Sequence, residues 1–241
     1  LFSISYANAM TGVIHPVEEL SSICRERGVR FHLDVTSVLG KLYLDWDEVQ
    51  PDFVTFNGEQ LHALPGTGGL CLLKENYLSP FIIGGYDQNG QRAGTVNVPG
   101  LYSLGIAADE MDKHQDYMST EIVRLRDLFE EELLKAVPFA RVLFCDSERV
   151  SNISVIAFPG ISSDLLLYSL AQVEVYASFG GGNFQQMALL LQASDIDSHL
   201  AQCALHFSLS RFSSEKEIKK AVQLIAEQAK KIQKTSEYIE D

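Results

Sequence analysis

Few groupings in this chain have the residue types and spacing of a reactive site. The four cysteines, Cys24, Cys71, Cys145 and Cys203, lie far apart and form no C-x-x-C pair. Neither a zinc site nor a disulfide framework is signalled. Each sits among apolar neighbours, as buried thiols of a reducing compartment do, which points to the cytoplasm. The run Gly180-Gly181-Gly182 has the glycines of a phosphate-cradling loop, but no Lys-Ser/Thr opening a helix follows it, so it reads as a flexible loop. Asp34 ends a short apolar run, and ligands gather at strand ends in open α/β sheets. An Asp there also caps turns. Glu59, His62, His32, Asp34 and His206 supply acid–base groups or metal ligands if the fold gathers them. No spacing argues for it, and each has an ordinary structural reading.

The elements that position these residues follow from the pattern. The chain has 241 residues, 46% hydrophobic and 21% charged, the balance of a folded globular protein. Its 19 basic and 32 acidic side chains give a net charge of −13. That surface repels phosphate backbones, which argues against nucleic-acid and anionic-membrane partners. No apolar run approaches the ~20 residues that span a bilayer. The chain opens on Leu1-Phe2-Ser3-Ile4-Ser5-Tyr6 without Met, as if in mid-strand, and is expected to be a piece of something longer.

Phe2–Tyr6 alternates like a strand. A helix opens at Pro16 and runs to about Arg27, stopped by Gly28. Strands are expected at Val29–Val35, Phe53–Phe56 and Gly69–Leu73; strands alternating with a helix predict a mostly parallel sheet. Residues 83–99 read as a long ordered loop, and such loops are usually functional. From Leu101 the period becomes helical to about Ala136, with a break near Ser119-Thr120. Strands follow at Arg141–Phe144, Asn152–Phe158, Val173–Ala177 and Leu205–Leu209, with a helix at Asp164–Ala171. Ser213 to Glu217 cap a final amphipathic helix reaching about Lys234. A boundary near residues 103–110 separates part of a larger α/β domain, 1–105, from linking helices and a smaller α+β domain, 106–241.

Several stretches carry a resemblance. They are Gly12…Pro16, Gly28-Val29-Arg30-Phe31-His32-Leu33-Asp34, Gly40-Lys41-Leu42, Pro51-Asp52-Phe53, Gly84-Gly85…Gly90-Gln91-Arg92-Ala93-Gly94-Thr95-Val96-Asn97-Val98-Pro99, Asn152-Ile153 and Phe207-Ser208-Leu209-Ser210-Arg211-Phe212. In order and spacing, from residue 1 to about 235, these resemble cysteine desulfurases of the class V aminotransferase family. The resemblance implies the C-terminal portion of the fold type I of pyridoxal-phosphate (PLP) enzymes. It implies PLP as the family cofactor, a homodimer, and a link to iron–sulfur clusters. It also implies that the N-terminal portion gripping the cofactor phosphate and stacking on its ring lies outside this chain.

Such chemistry needs a lysine for the imine, an acid at the pyridine nitrogen and, for desulfuration, a cysteine thiolate. By the resemblance, Asp34 is the acid. His32 matches a position two residues earlier on the same strand. Ser37 stands where the family has a Gln touching the phenolic oxygen. Gln60 takes the lysine position and Glu59 the histidine before it; an amide forms no imine and is no base near neutrality. Lys41 and Lys74 belong to other segments. Gly180 takes the cysteine position. His206 replaces the arginine that grips the substrate carboxylate, and a mostly neutral imidazole makes no bidentate fork. Of the family's Asn-Asn-Glu-x-Gly, Asn8 and Gly12 remain, with Ala9 and Met10 between. Thr95 matches a residue reaching the cofactor phosphate of the partner subunit.

Backbone-shaping glycines match the family and reaction-bearing residues mostly do not. The expectation is a catalytically inactive homologue with a binding or scaffold role, as a homodimer or beside an active desulfurase or scaffold protein. PLP is then not covalently bound, and Asp34, His32, Ser37, Asn8 and Thr95 are a vestigial cofactor site. Two alternatives stand beside it: an active PLP enzyme using a non-standard lysine, and a PLP-independent activity in a remodelled pocket.

Overall fold

The computed structural model describes residues 1–72, 78–181 and 185–240, and of residues 181, 185 and 236–240 the backbone alone. Two compact units form: Leu1–Ala7 with His15–Gln115, and Asn8–Ile14 with residues from Asp116 onward.

In the first unit, β1 (Phe2–Ser5), β2 (Phe31–Asp34), β3 (Phe53–Asn57) and β4 (Gly68–Leu72) make one sheet in that order. β1–β2 and β2–β3 are parallel; β4 returns antiparallel along β3. Leu73, expected in β4, lies outside the described residues. Helix α1 (Val17–Glu26) carries Glu18 and Glu19 in its first turn and Arg25 in its last, the arrangement its dipole favours. Gly28, at φ +63, turns the chain into β2. Phe31 and Leu33 of β2 are 2% and 0% exposed; burying such side chains contributes roughly 1.5–3 kcal/mol each. Their neighbours His32 and Asp34 alternate onto the other face, which is polar and half-exposed. A short α2 (Trp46–Val49), absent from the sequence reading, is nucleated by Asp45, whose carboxylate accepts the N–H groups of Asp47 and Glu48.

Helix α3 (Val98–Lys113) starts three residues before the expected Leu101, because the Asn97 side chain accepts the Gly100 N–H and Pro99 occupies the first turn. α4 (Gln115–Ala136) follows at once. The break is at His114, not Ser119-Thr120. The His114 ring takes the Glu110 carbonyl left open at the end of α3, while the Thr120 hydroxyl bonds back to the Asp116 carbonyl and is absorbed within α4.

The second unit is built on an antiparallel sheet ordered β5 (Arg141–Leu143), β6 (Ile153–Ala157), β9 (Ala204–Ser208). All five residues of β6 are buried. α4 turns Ile122, Leu125, Phe129 and Leu133 inward, and the Phe129 ring meets Phe207 of β9 with centroids 5.3 Å apart. α8 (Glu215–Glu240) buries Ile218, Val222, Ile225, Ala229 and Ile232. Its start is a reciprocal box in which Glu217 accepts the Ser214 N–H and Ser214 accepts the Glu217 N–H. α5 (Ser163–Ala171) packs on α8 and β9. The strand expected at Val173–Ala177 does not form. The N–H groups of Val173, Glu174 and Val175 return to carbonyls of Leu170 and Ala171 as α5 unwinds, and Glu174 turns left-handed at φ +59. Only a single bridge, Ser178 to His206, remains. Beyond it come a two-residue pair, β7 (Gly180–Gly181) with β8 (Gln185–Gln186), and helices α6 (Met187–Ala193) and α7 (Ser198–Gln202), none of them anticipated. Gly182 and Asn183 of the glycine loop lie outside the described residues. The segment 8–14 joins this unit through Gly12, at φ +75, where a Cβ would come within 3.0 Å of the Ile153 Cβ.

Candidate functional site

The first unit gathers one set of candidate residues at the C-terminal ends of β2 and β3. Asp34 is the last residue of β2, half-buried, and its Oδ1 accepts the Thr36 N–H at 2.8 Å. The bond holds the turn after the strand and leaves the second carboxylate oxygen for another group. His32 lies two residues back, in register with Ser3 of β1. Its Nδ1 is 2.6 Å from the Ser3 hydroxyl and its Nε2 2.9 Å from the Thr55 hydroxyl. Both ring nitrogens are therefore engaged across three strands, and the imidazole acts here as a sheet cross-tie. Ser37 is buried and donates its hydroxyl to the Ala7 carbonyl at 2.9 Å. Lys41 is also buried; its ammonium reaches the Ser37 carbonyl at 3.1 Å, and burial pushes its pKa below the ordinary lysine value.

After β3 the chain makes a 3₁₀ turn at Glu59–Leu61. Asn57 accepts the Gln60 N–H at 3.1 Å, and Glu59 accepts the Gly66 N–H at 3.3 Å. A Cβ at Gly58 would lie 2.1 Å from the Thr67 Oγ1, so any larger residue there forces its neighbours to shift. Both Glu59 and Gln60 are exposed. His62 is left-handed, at φ +69. The later loop keeps its shape through the Asp87 carboxylate accepting the Gly94 N–H and through the Ala93 N–H on the Ile82 carbonyl. Arg92 and Thr95 are exposed on it.

The second unit brings Asn8, His206 and Gly180 together. Asn8 Oδ1 accepts the N–H groups of Met10 and Thr11. The Met10 carbonyl lies 2.7 Å from His206 Nδ1; a carbonyl only accepts, so Nδ1 carries the proton. The backbone of His206 pairs with Ser178, and the Ser178 hydroxyl accepts the Gly180 N–H. Gly180 also borders a cavity of about 830 Å³ whose lining includes Ser162, Asp164, His199 and Cys203. Burial pushes the Cys203 thiol up, so it stays protonated near neutrality, and it donates to the His199 carbonyl. Sequence reading missed this cavity because α6 and α7, which help line it, carry no strong apolar period.

A family model for class-V aminotransferases matches residues 1–221. The chain belongs to the class-V aminotransferase family. Class-V aminotransferases of the desulfurase type use PLP, and the relatives are of that type. Cysteine desulfurase 2 of Trichormus variabilis is 33% identical over all of this chain and 61% of its own length. The cysteine desulfurase NifS of Azotobacter vinelandii is 30% identical over 98% of this chain and 60% of its own length. A solved NifS-like protein superposes with a TM-score of 0.85 at 25% identity, covering 93% of this chain and 60% of that one. The chain therefore spans about three-fifths of the length of these relatives, and its α/β architecture is part of the NifS-like fold.

The donor set fits PLP only in part. Asp34 offers a carboxylate to a pyridinium nitrogen. The Ser37 hydroxyl proton, however, is committed to the Ala7 carbonyl, and residue 60 is an amide without imine chemistry. Covalent attachment at residue 60 does not fit. Among the described residues no group of three or more His, Cys, Asp and Glu can hold a metal ion, and no helix is long and apolar enough to cross a membrane.

Proposed function

We propose that this chain is a desulfurase-family member without desulfurase chemistry, which works by binding. The observation that carries the reading is Gln60: an exposed amide at the position where the resemblance requires the imine-forming lysine. Gly180 supports it by offering no thiol where the nucleophile belongs. Asp34, His32, Ser37, Asn8 and Thr95 are then remnants of a cofactor site, and His32, Ser37 and Asn8 are now spent on internal hydrogen bonds.

The binding surface is the exposed apolar part of the first unit. Phe81 and Tyr86 are each 97% exposed, with Ile83, Val98 and Tyr102 above 65%. Exposed apolar side chains that join into a contiguous patch mark an association surface, and these five are the residues we assign to it. A second copy of this chain is the partner we assign to it; an active desulfurase or a scaffold protein in the cytoplasm is the other form of the same reading.

The alternative of an active enzyme with another lysine finds little support in the first unit. Lys41 is buried against the Ser37 carbonyl, and Lys113 is tied on α3 to Asp109 and Glu110. Lys74 lies outside the described residues. Intact mass spectrometry of the full-length protein, after PLP and borohydride, tests the proposal together with a sulfide-release assay. No adduct and no sulfide are expected. A stoichiometric lysine adduct with turnover would overturn it.

A further inference from the structure

The sheet of the second unit ends on β9, and among the described residues the outer edge of that strand is paired at one point only. His206 exchanges both backbone hydrogen bonds with Ser178, at 2.6 and 3.0 Å. Residues two apart on a strand turn their backbone groups to the same edge. Ser208 therefore presents its N–H and carbonyl where an extension of this pairing would bring Tyr176. The extension does not form. The Ser178–His206 bridge is isolated, and the N–H groups of Val173, Glu174 and Val175 are drawn back onto the end of α5. Beyond the bridge the two segments part, and a groove of about 440 Å³ has Val175, Tyr176 and Ser208 in its lining.

The rest of the lining is largely apolar. Phe129, Phe207, Ile218 and Ile225 belong to it, and so do two exposed aromatic rings, Tyr176 at 79% and Phe212 at 71%. An open strand edge beside an apolar groove suits an extended peptide. Its main chain pairs with the edge, and alternate side chains enter the groove. Charge narrows the class further. Three charged side chains line the groove. Glu217 is spent on the N–H and hydroxyl of Ser214, at 2.9 and 2.7 Å. Lys220 on α8 and Glu174 on the turn after α5 make no ion pair among the described residues. The groove thus offers one free charge of each sign. We propose that it binds an extended apolar peptide segment of a partner protein, added as a strand on the outer edge of β9. The segment carries an acidic side chain toward Lys220 and a basic one toward Glu174. The site lies wholly in the second unit and stands whether or not imine chemistry is lost at residue 60.

The test uses the full-length protein and a fluorescein-labelled octapeptide of alternating valine and threonine. The peptide has a glutamate at one end and a lysine at the other, and it is made in both charge orders. Saturable binding of one order is expected by fluorescence anisotropy, with slowed hydrogen exchange at the Ser208 amide. K220E and E174K each weaken it by about two- to five-fold, as loss of an exposed ion pair does. A221F fills the groove and abolishes it, while melting curves show that each variant is folded. No binding in either order, or binding that K220E and E174K leave unchanged, overturns the proposal. So does slow exchange at Ser208 in the free protein, which would show residues 173–177 closed on β9 themselves. Self-association that A221F abolishes, without peptide binding, also overturns it and gives the groove to a second copy.

Discussion

The carboxylate of Glu59 accepts the backbone N–H of Gly66 at 3.3 Å, closing the turn that carries Gln60. The turn is thus held by Glu59, and on the reading proposed above Gln60 beside it carries an amide where the family has an amine. Restoring that single residue is the direct chemical test. In the full-length protein, Q60K is expected to yield one borohydride-fixed PLP adduct per chain where the native protein yields none, read by intact mass. G180C alone is expected to release no sulfide from cysteine, because no imine forms without the lysine. Sulfide from G180C would show that another amine serves.

The turn itself depends on Gly58. A Cβ at that position would lie 2.1 Å from the Thr67 Oγ1, which donates to the Leu64 carbonyl at 2.9 Å. G58A is expected to lower stability by about 1–3 kcal/mol in denaturant unfolding, as overpacking does. Adding T67A removes the clashing atom, so the pair is expected to be less harmful than the sum of the two single changes.

Arg149 grips Glu130 with both terminal nitrogens, at 2.8 and 3.2 Å, and their side chains are only 6% and 12% exposed. The pair ties the loop before β6 to α4. Removing one partner leaves a charge buried alone: R149M is expected to cost about 3–5 kcal/mol, and R149M with E130L to recover much of it. Equal losses in both variants would show that the ion pair is replaceable at neither end.

Burial holds the Lys41 amine below its ordinary pKa, with the Ser37 carbonyl beside it. In the window between that lowered value and the ordinary one, near 10.4, the unfolded chain binds the proton and the folded chain does not. Stability therefore rises with pH across this window and is flat below it, where both states are protonated. K41M is expected to abolish the rise. A native stability profile that falls across that window would contradict the burial argument.

Much of the first unit is legible in the chain. Gly28, the apolar alternation of Phe31 and Leu33, and Asp34 at the end of the run announce a strand, which pairing with β1 and β3 then completes. The helix-to-strand step at residues 173–177 reads wrongly for the opposite reason. Val173 and Val175 have strand preference, yet the carbonyls of Leu170 and Ala171 capture their N–H groups and that of Glu174 before a neighbouring strand can. Likewise a Ser-Thr pair looks like a helix break until the Thr120 hydroxyl finds the Asp116 carbonyl.

The sequence by itself determined the chemistry available. Gln60 forms no imine and Gly180 has no thiol in any fold, because covalent identity sets both limits. Tertiary structure alone decided how the remaining polar residues are spent. It placed the His206 ring on the carbonyl of Met10, 196 positions away, and fixed His32 between hydroxyls of two neighbouring strands. It also assigned residues 8–14 to the second unit. Such pairings depend on strand register and on close packing between distant segments. No local pattern encodes them, because the partners meet only when the sheets assemble.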